Sequence, residues 1–127
     1  MTRDWEAALQ RGDRPALARM LDEGADVDAL DRYSQTSLMR AAHDGRVDVV
    51  RLLVERGANL EHTAKHHLTA LMLAAIAGHD AVVEALMQAG ADRNVRGSGP
   101  PGFHGKTALD LAQAAGHERI LALLQSG

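Results

Sequence analysis

Cysteine is absent from the 127 residues, which excludes disulfides, thiol catalysis and cysteine-based zinc sites while leaving the redox compartment open. Aromatic side chains are nearly absent: Trp5, Tyr33 and Phe103 are the whole class, 2% of the chain, so the core must be aliphatic and small. Ala, Leu, Val and Met have to fill it, and since Ala and Leu are the strongest helix formers, closely packed helices suit the composition. Long hydrophobic runs are missing too. MTRDWEAALQ at the start contains no apolar run of the roughly 7–15 residues that export requires, and no stretch approaches the roughly 18 apolar residues of a membrane span. Neither export nor insertion is signalled, and a cytoplasmic location is expected. Neither sign of charge dominates: 14 basic residues face 17 acidic ones, a net charge of −3 that gives no overall drive toward nucleic acid or anionic lipid. With 46% hydrophobic and 24% charged residues, the chain has the composition of one soluble domain.

What is present is repetition. Thr36 and Thr69 lie 33 residues apart, as do Leu38 and Leu71, Ala41 and Ala74, Gly45 and Gly78, Val49 and Val82, Leu53 and Leu86, and Gly57 and Gly90. One register accounts for all of them. Carried back by 33 it places Ala8, Gly12, Leu17, Met20 and Gly24 on matching positions, with Trp5 where Leu38 and Leu71 stand. Carried forward it needs five added residues, so that Thr107, Ala112, Gly116, Ile120 and Leu124 lie 38 beyond their counterparts. The glycine- and proline-rich GSGPPGFHG (97–105) is therefore an insertion at a junction between units.

Each unit reads as two short helices. Thr36 is placed to cap a helix over about 37–44, which Gly45 ends. Val49, Val50, Leu52 and Leu53 give the second helix, about 47–56, its apolar stripe, and Gly57 stops it. The polar stretch from Asn59 to Leu68 is left for an extended turn. Four units follow, at about 1–30, 31–63, 64–101 including an inserted loop at 97–101, and 102–127, in a single domain.

TSLMRAAHDGRVDVVRLLVERGANLE (36–61) and TALMLAAIAGHDAVVEALMQAGADRN (69–94) resemble the ankyrin repeat pattern, TALDLAQAAGHERILALL (107–124) is similar to a final repeat, and residues 3–30 to a first. The resemblance covers essentially the whole chain. It implies an all-α solenoid of four helix-turn-helix units, the outer two acting as caps, with hairpin-like turns along one edge. Departures are visible. Ser37, Ala70 and Ala108 replace the motif proline, and Met39, Met72 and Asp110 replace a histidine that family members use to tie neighbouring repeats, so methionine contacts are expected there instead. Ala64 and His67 stand where the third unit should carry a turn-forming Asp and Gly, and Arg93 where Val27 and Leu60 are apolar. A last hairpin held less firmly than the first is the expectation.

The resemblance also implies a function. A single two-helix unit cannot bury its stripe alone, and stacking leaves a face of first helices and turns that family members use to bind proteins. The family's variable positions carry over to Arg32, Tyr33, Gln35, His43 and Asp44 in one unit, to Lys65, His66, Leu68, Ile76 and Ala77 in the next, and to Phe103, His104, Lys106, Ala114 and Ala115 in the last, with Gln10 and Arg11 on the first helix and Thr63 and Arg96 on the joining turns. Two of the three aromatics and both lysines fall in this set. Five cations, Arg11, Arg32, Lys65, Arg96 and Lys106, stand against Asp44, so a non-enzymatic module binding an acidic or mixed-charge protein is expected, without cofactor, nucleic acid or membrane and monomeric by default.

Other readings compete. His62, His66, His67 and His104 form a possible metal-binding set with Glu61, the basis of an alternative as a metal-binding protein or small metal-dependent enzyme, although a turn removes the convergence that helical spacing would supply. Catalysis lacks a nucleophile motif: the serines are isolated, and Pro100 and Pro101 remove two amide donors that a phosphate cradle needs. Trp5, at a leucine position, reads as an aromatic plug, and His79 and His117 as structural repeat positions. Lengthening a surface connection costs little, so the insertion can be neutral. It can equally be a modified recognition turn in which Pro100–Pro101 stiffens the backbone behind an exposed Phe103.

Overall fold

The computed structural model describes residues 1–126 and shows, among them, eight α-helices and no β-strand. They form four antiparallel pairs: α1 (Arg3–Arg11) with α2 (Arg14–Asp22), α3 (Ser37–Asp44) with α4 (Val47–Glu55), α5 (Ala70–Ala77) with α6 (Asp80–Gln88), and α7 (Ala108–Ala115) with α8 (Glu118–Gln125). First helices α3, α5 and α7 stack in one layer, and second helices α2, α4, α6 and α8 in the other.

Local chemistry sets the helix ends. Thr2, Thr36, Thr69 and Thr107 each accept, through the side-chain oxygen, the amide three residues on, satisfying a donor that has no partner inside the helix. At the other end of α3, Gly45 turns the chain at φ 75°, and a Cβ there would also run into the His79 ring. Proximity of that ring has a purpose. Arg46, His79 and His117 stand at the N-caps of α4, α6 and α8 without capping their own helices. Instead the Arg46 guanidinium donates to the Gln10 carbonyl at 2.9 Å, His79 Nε2 lies 2.9 Å from the His43 carbonyl, and His117 Nε2 lies 3.1 Å from that of Ile76. One rung of side chain therefore ties the start of each later second helix to the end of the first helix of the preceding unit. It satisfies carbonyls that helix termini leave open.

A second ladder runs through the loops behind the second helices. Asp28 accepts the Asn59 amide and Glu61 accepts the Asp92 amide, both at 2.8 Å. Between the layers lies the core, in which Leu38, Leu71, Val49, Val82, Ile120, Leu53 and Leu86 are all fully buried. Burying each such side chain contributes about 1.5–3 kcal/mol, and truncating a leucine among them costs about 2–5 kcal/mol. Trp5 joins this core at 3% exposure, in agreement with its reading as a plug. Met39 and Met72 are equally buried, and the Met72 sulfur accepts the Thr69 amide at 3.5 Å. Asp110, at the same register position, takes the Thr107 amide at 3.0 Å and thereby completes a capping box.

At Arg93, which the sequence marks as a weak point of the last hairpin, the structure shows an added tie. Its guanidinium donates to the carbonyls of Leu124 and Ser126 at 2.8 and 2.9 Å, so a position that is apolar in the earlier pairs fastens the C-terminal end of α8. No helix among the described residues is long and apolar enough to cross a membrane.

Candidate functional site

Three turns project beside the first helices. The first, residues 31–35, is built around Asp31, whose Oδ1 accepts the amides of Tyr33 and Gln35 at 2.8 and 3.0 Å. Ser34 follows in the left-handed region, φ 61°. In the second turn a single 3-10 turn, Lys65–His67, carries both His66 and His67 at positive φ, so the missing glycine is replaced by strained histidines. The third is the insertion. It folds back on the second turn: the Ser98 amide donates to the His66 carbonyl at 2.8 Å, and the Phe103 ring stacks on His66 with centroids 5.0 Å apart. Gly99 at φ 86° lets the loop pass over His66, because a Cβ there would lie 2.8 Å from Nδ1. Phe103 is consequently half-buried, which corrects the expectation that the insertion exposes it.

Tyr33 is the aromatic that does stand out, 69% exposed, with the Arg32 guanidinium 5.6 Å from its ring centre. It borders a depression of about 310 Å³ lined by Glu6, Gln10, Asp31, Arg32, Gln35 and Arg40 as well. That depression shares Gln10, Gln35 and Arg40 with a neighbour of about 430 Å³ that continues past His43 and Asp44 to Leu73. The two make a groove between turns and first helices. Its floor is Arg40, placed 3.4 Å from Glu6 and 3.8 Å from Asp31, so its charge is matched before any partner arrives. None of Glu6, Asp31 or Arg40 was marked as a site residue by the sequence. The available signal was Arg40 itself, a cation at the register position held by Ala7 and Leu73.

The other site residues divide by exposure. Lys65, His104 and Lys106 are exposed, while His66 and Ile76 are half-buried. Arg11 is held by Asp13 at 3.2 Å, His43 lies 3.6 Å from Asp44, and Arg96 donates to the Gly105 carbonyl at 2.8 Å. Leu68 is 7% exposed and belongs to the core, so it is removed from the surface set. The sequence pattern misplaced it because it neighbours exposed turn residues while its side chain turns inward.

Three of the four histidines of the metal alternative have other partners, while His104 is exposed. His62 Nε2 lies 3.0 Å from the Ser34 carbonyl, His67 Nδ1 lies 3.0 Å from the Arg96 carbonyl, and His66 is stacked. Among the described residues no three His, Asp or Glu side chains converge as a metal-binding group.

Comparison with curated proteins gives no match. Comparison with protein families does: the family described as ankyrin repeats (3 copies) matches residues 5–97 and 68–127, nearly the whole described chain. Repeats of this kind are generally protein–protein interaction modules and typically not enzymes. With the periodic threonine caps, the ladder from Arg46 to His117 and this match over both halves, the chain belongs to the ankyrin repeat family.

Proposed function

We propose that this protein is a non-enzymatic binding module that holds a protein partner in the groove between its turns and first helices. The observation that carries the reading is Tyr33, an exposed aromatic with an arginine against it, standing at the rim of a groove floored by charge-matched polar groups. Aromatic and arginine side chains dominate binding energies because they bury much area with few rotors and pair bidentately with carboxylates. Arg11, Arg32, Gln35, His43, Asp44, Lys65, His66, Ile76, Arg96, Phe103, His104 and Lys106 complete the contact set. A cytoplasmic, monomeric protein belongs to the same proposal, and size-exclusion chromatography tests its second half.

The test begins with affinity capture of a partner and measurement of its binding by calorimetry. Tyr33→Ala should weaken binding by about 1–3 kcal/mol without altering the melting transition. Unchanged binding in this variant, with loss on Arg51→Glu or Glu84→Arg on the second helices, would move the site to the opposite face. There a depression of about 280 Å³ lies between α4 and α6.

A further inference from the structure

The two ends of the groove carry opposite charges, which narrows what the partner presents, given the groove reading above. Arg32 stands on the turn before α3, is exposed, and enters no ion pair among the described residues. Asp44 closes α3 at the other end with its side chain 51% exposed, and its ionic neighbour is His43 at 3.6 Å, which bears charge only when protonated. Helix stability does not account for that carboxylate. The carbonyl end of a helix favours cations and disfavours anions. Arg11 and Ala77 occupy the same register position in α1 and α5, so Asp44 alone of the three works against its own helix.

Between the ends, ionic capacity is spent and amide capacity is not. Arg40 is engaged by Glu6 and Asp31, and Asp31 Oδ1 accepts two turn amides. Gln10 and Gln35 line both depressions, and among the described residues their hydrogen bonds are made by backbone atoms alone. A primary amide offers a donor and an acceptor side by side, which is the complement of a peptide group. Half-buried Leu73 adds an apolar patch at the Asp44 end. With eight residues α3 is about 12 Å long, a length that about four residues of extended chain cover. We propose that the groove holds a short extended segment of the partner that carries both signs of charge. An Asp or Glu side chain meets Arg32, a Lys or Arg side chain meets Asp44, and the peptide groups between them pair with Gln10 and Gln35. A segment of one sign leaves one end of the groove facing like charge, and a nucleic-acid strand is that case, with phosphate against Asp44.

The test is a titration of isotope-labelled protein at low salt with the peptide acetyl-Gly-Glu-Thr-Val-Thr-Lys-Gly-amide, followed by amide chemical shifts. Saturable shifts should appear at Gln10, Gln35 and Asp44 and be absent from α8. Arg32→Glu and Asp44→Lys should each weaken binding about fivefold, as expected for an exposed charge pair. Changing the peptide's Glu to Lys should restore binding to the first variant, and changing its Lys to Glu should restore it to the second. Gln10→Ala and Gln35→Ala should each weaken binding about fivefold with circular dichroism unchanged. No saturable shifts at millimolar peptide, shifts confined to the second helices, or failure of either reversed peptide to recover binding overturns the proposal. So does binding of an oligothymidine strand at the same amides as tight as that of the peptide. A captured partner that responds to Tyr33→Ala and ignores Asp44→Lys would leave the groove reading standing and defeat this one alone.

Discussion

The indole Nε1 of Trp5 donates to the Ser37 hydroxyl at 2.7 Å, a buried bond between two positions that both depart from the repeat pattern. Tryptophan stands in a leucine position and serine in a proline position, and each supplies what the other needs. An indole N–H in an apolar core requires an acceptor, and Ser37 is fully buried directly opposite. Ser37→Ala should cost about 1–3 kcal/mol by leaving that N–H unpaired. Trp5→Phe should cost at least as much, since it loses volume as well. In a double-mutant cycle by urea denaturation the two changes should be non-additive. Simple additivity would mean that the bond contributes nothing.

Arg93 should act as a local fastener. Hydrogen bonds from a charged donor contribute about 1.5–3 kcal/mol, so Arg93→Ala should release the end of α8. Hydrogen exchange should then accelerate at least about tenfold in residues 118–125 and stay unchanged in α3 and α4, as expected when the ends of a repeat stack open independently. Uniform acceleration across the chain would show instead that the stack opens as one unit.

Asp110 makes part of the stability depend on acid. The Thr107 amide, and after it the Thr107 hydroxyl, Lys106 and Arg96, hold its carboxyl below the ordinary value of 3.8 against an opposing desolvation effect. A carboxyl lowered by folding stabilises above its unfolded value, and that contribution is lost as pH falls through the folded value. Asp13, lowered chiefly by the Ala16 amide, has the same sign. Asp110→Asn keeps a cap acceptor and removes the titration, so the drop in denaturation midpoint between pH 6 and pH 3 should be smaller than in wild type. An identical drop would assign the acid sensitivity elsewhere.

Ser34 offers a gain. It holds φ 61° without a glycine's freedom, and its bond to His62 uses the backbone carbonyl, which any residue supplies. The left-handed region costs an L-residue about 1–2 kcal/mol. Ser34→Gly should therefore stabilise by up to about 1 kcal/mol, part of the relief being offset by a more flexible unfolded chain. Thermal denaturation measures it, and a lowered melting temperature would show that the strain is already compensated.

Much of this was legible from spacing. The 33-residue register located the Thr caps, the glycine stops and the bounds of α3, because these depend on residues within four positions of one another. It also marked Trp5 as core and His79 and His117 as structural, without saying which carbonyls they reach. Leu68 was misplaced and Arg40 overlooked for the opposite reason. The direction of a turn side chain and the pairing of a floor charge depend on tertiary neighbours, as Arg40 does on Glu6, 34 residues away.

The sequence by itself determined that two-helix units repeat, where they start and stop, and that their aliphatic faces must be covered by one another. Local hydrogen bonding and periodic apolar residues are sufficient for that. Only the tertiary structure decided which charges remain unmatched and which aromatic is free. The insertion folds Phe103 onto His66 and leaves Tyr33 exposed, while Glu6 and Asp31 neutralise Arg40 and nothing among the described residues pairs with Lys65. Such outcomes follow from stacking units side by side, which brings together residues that no local pattern relates.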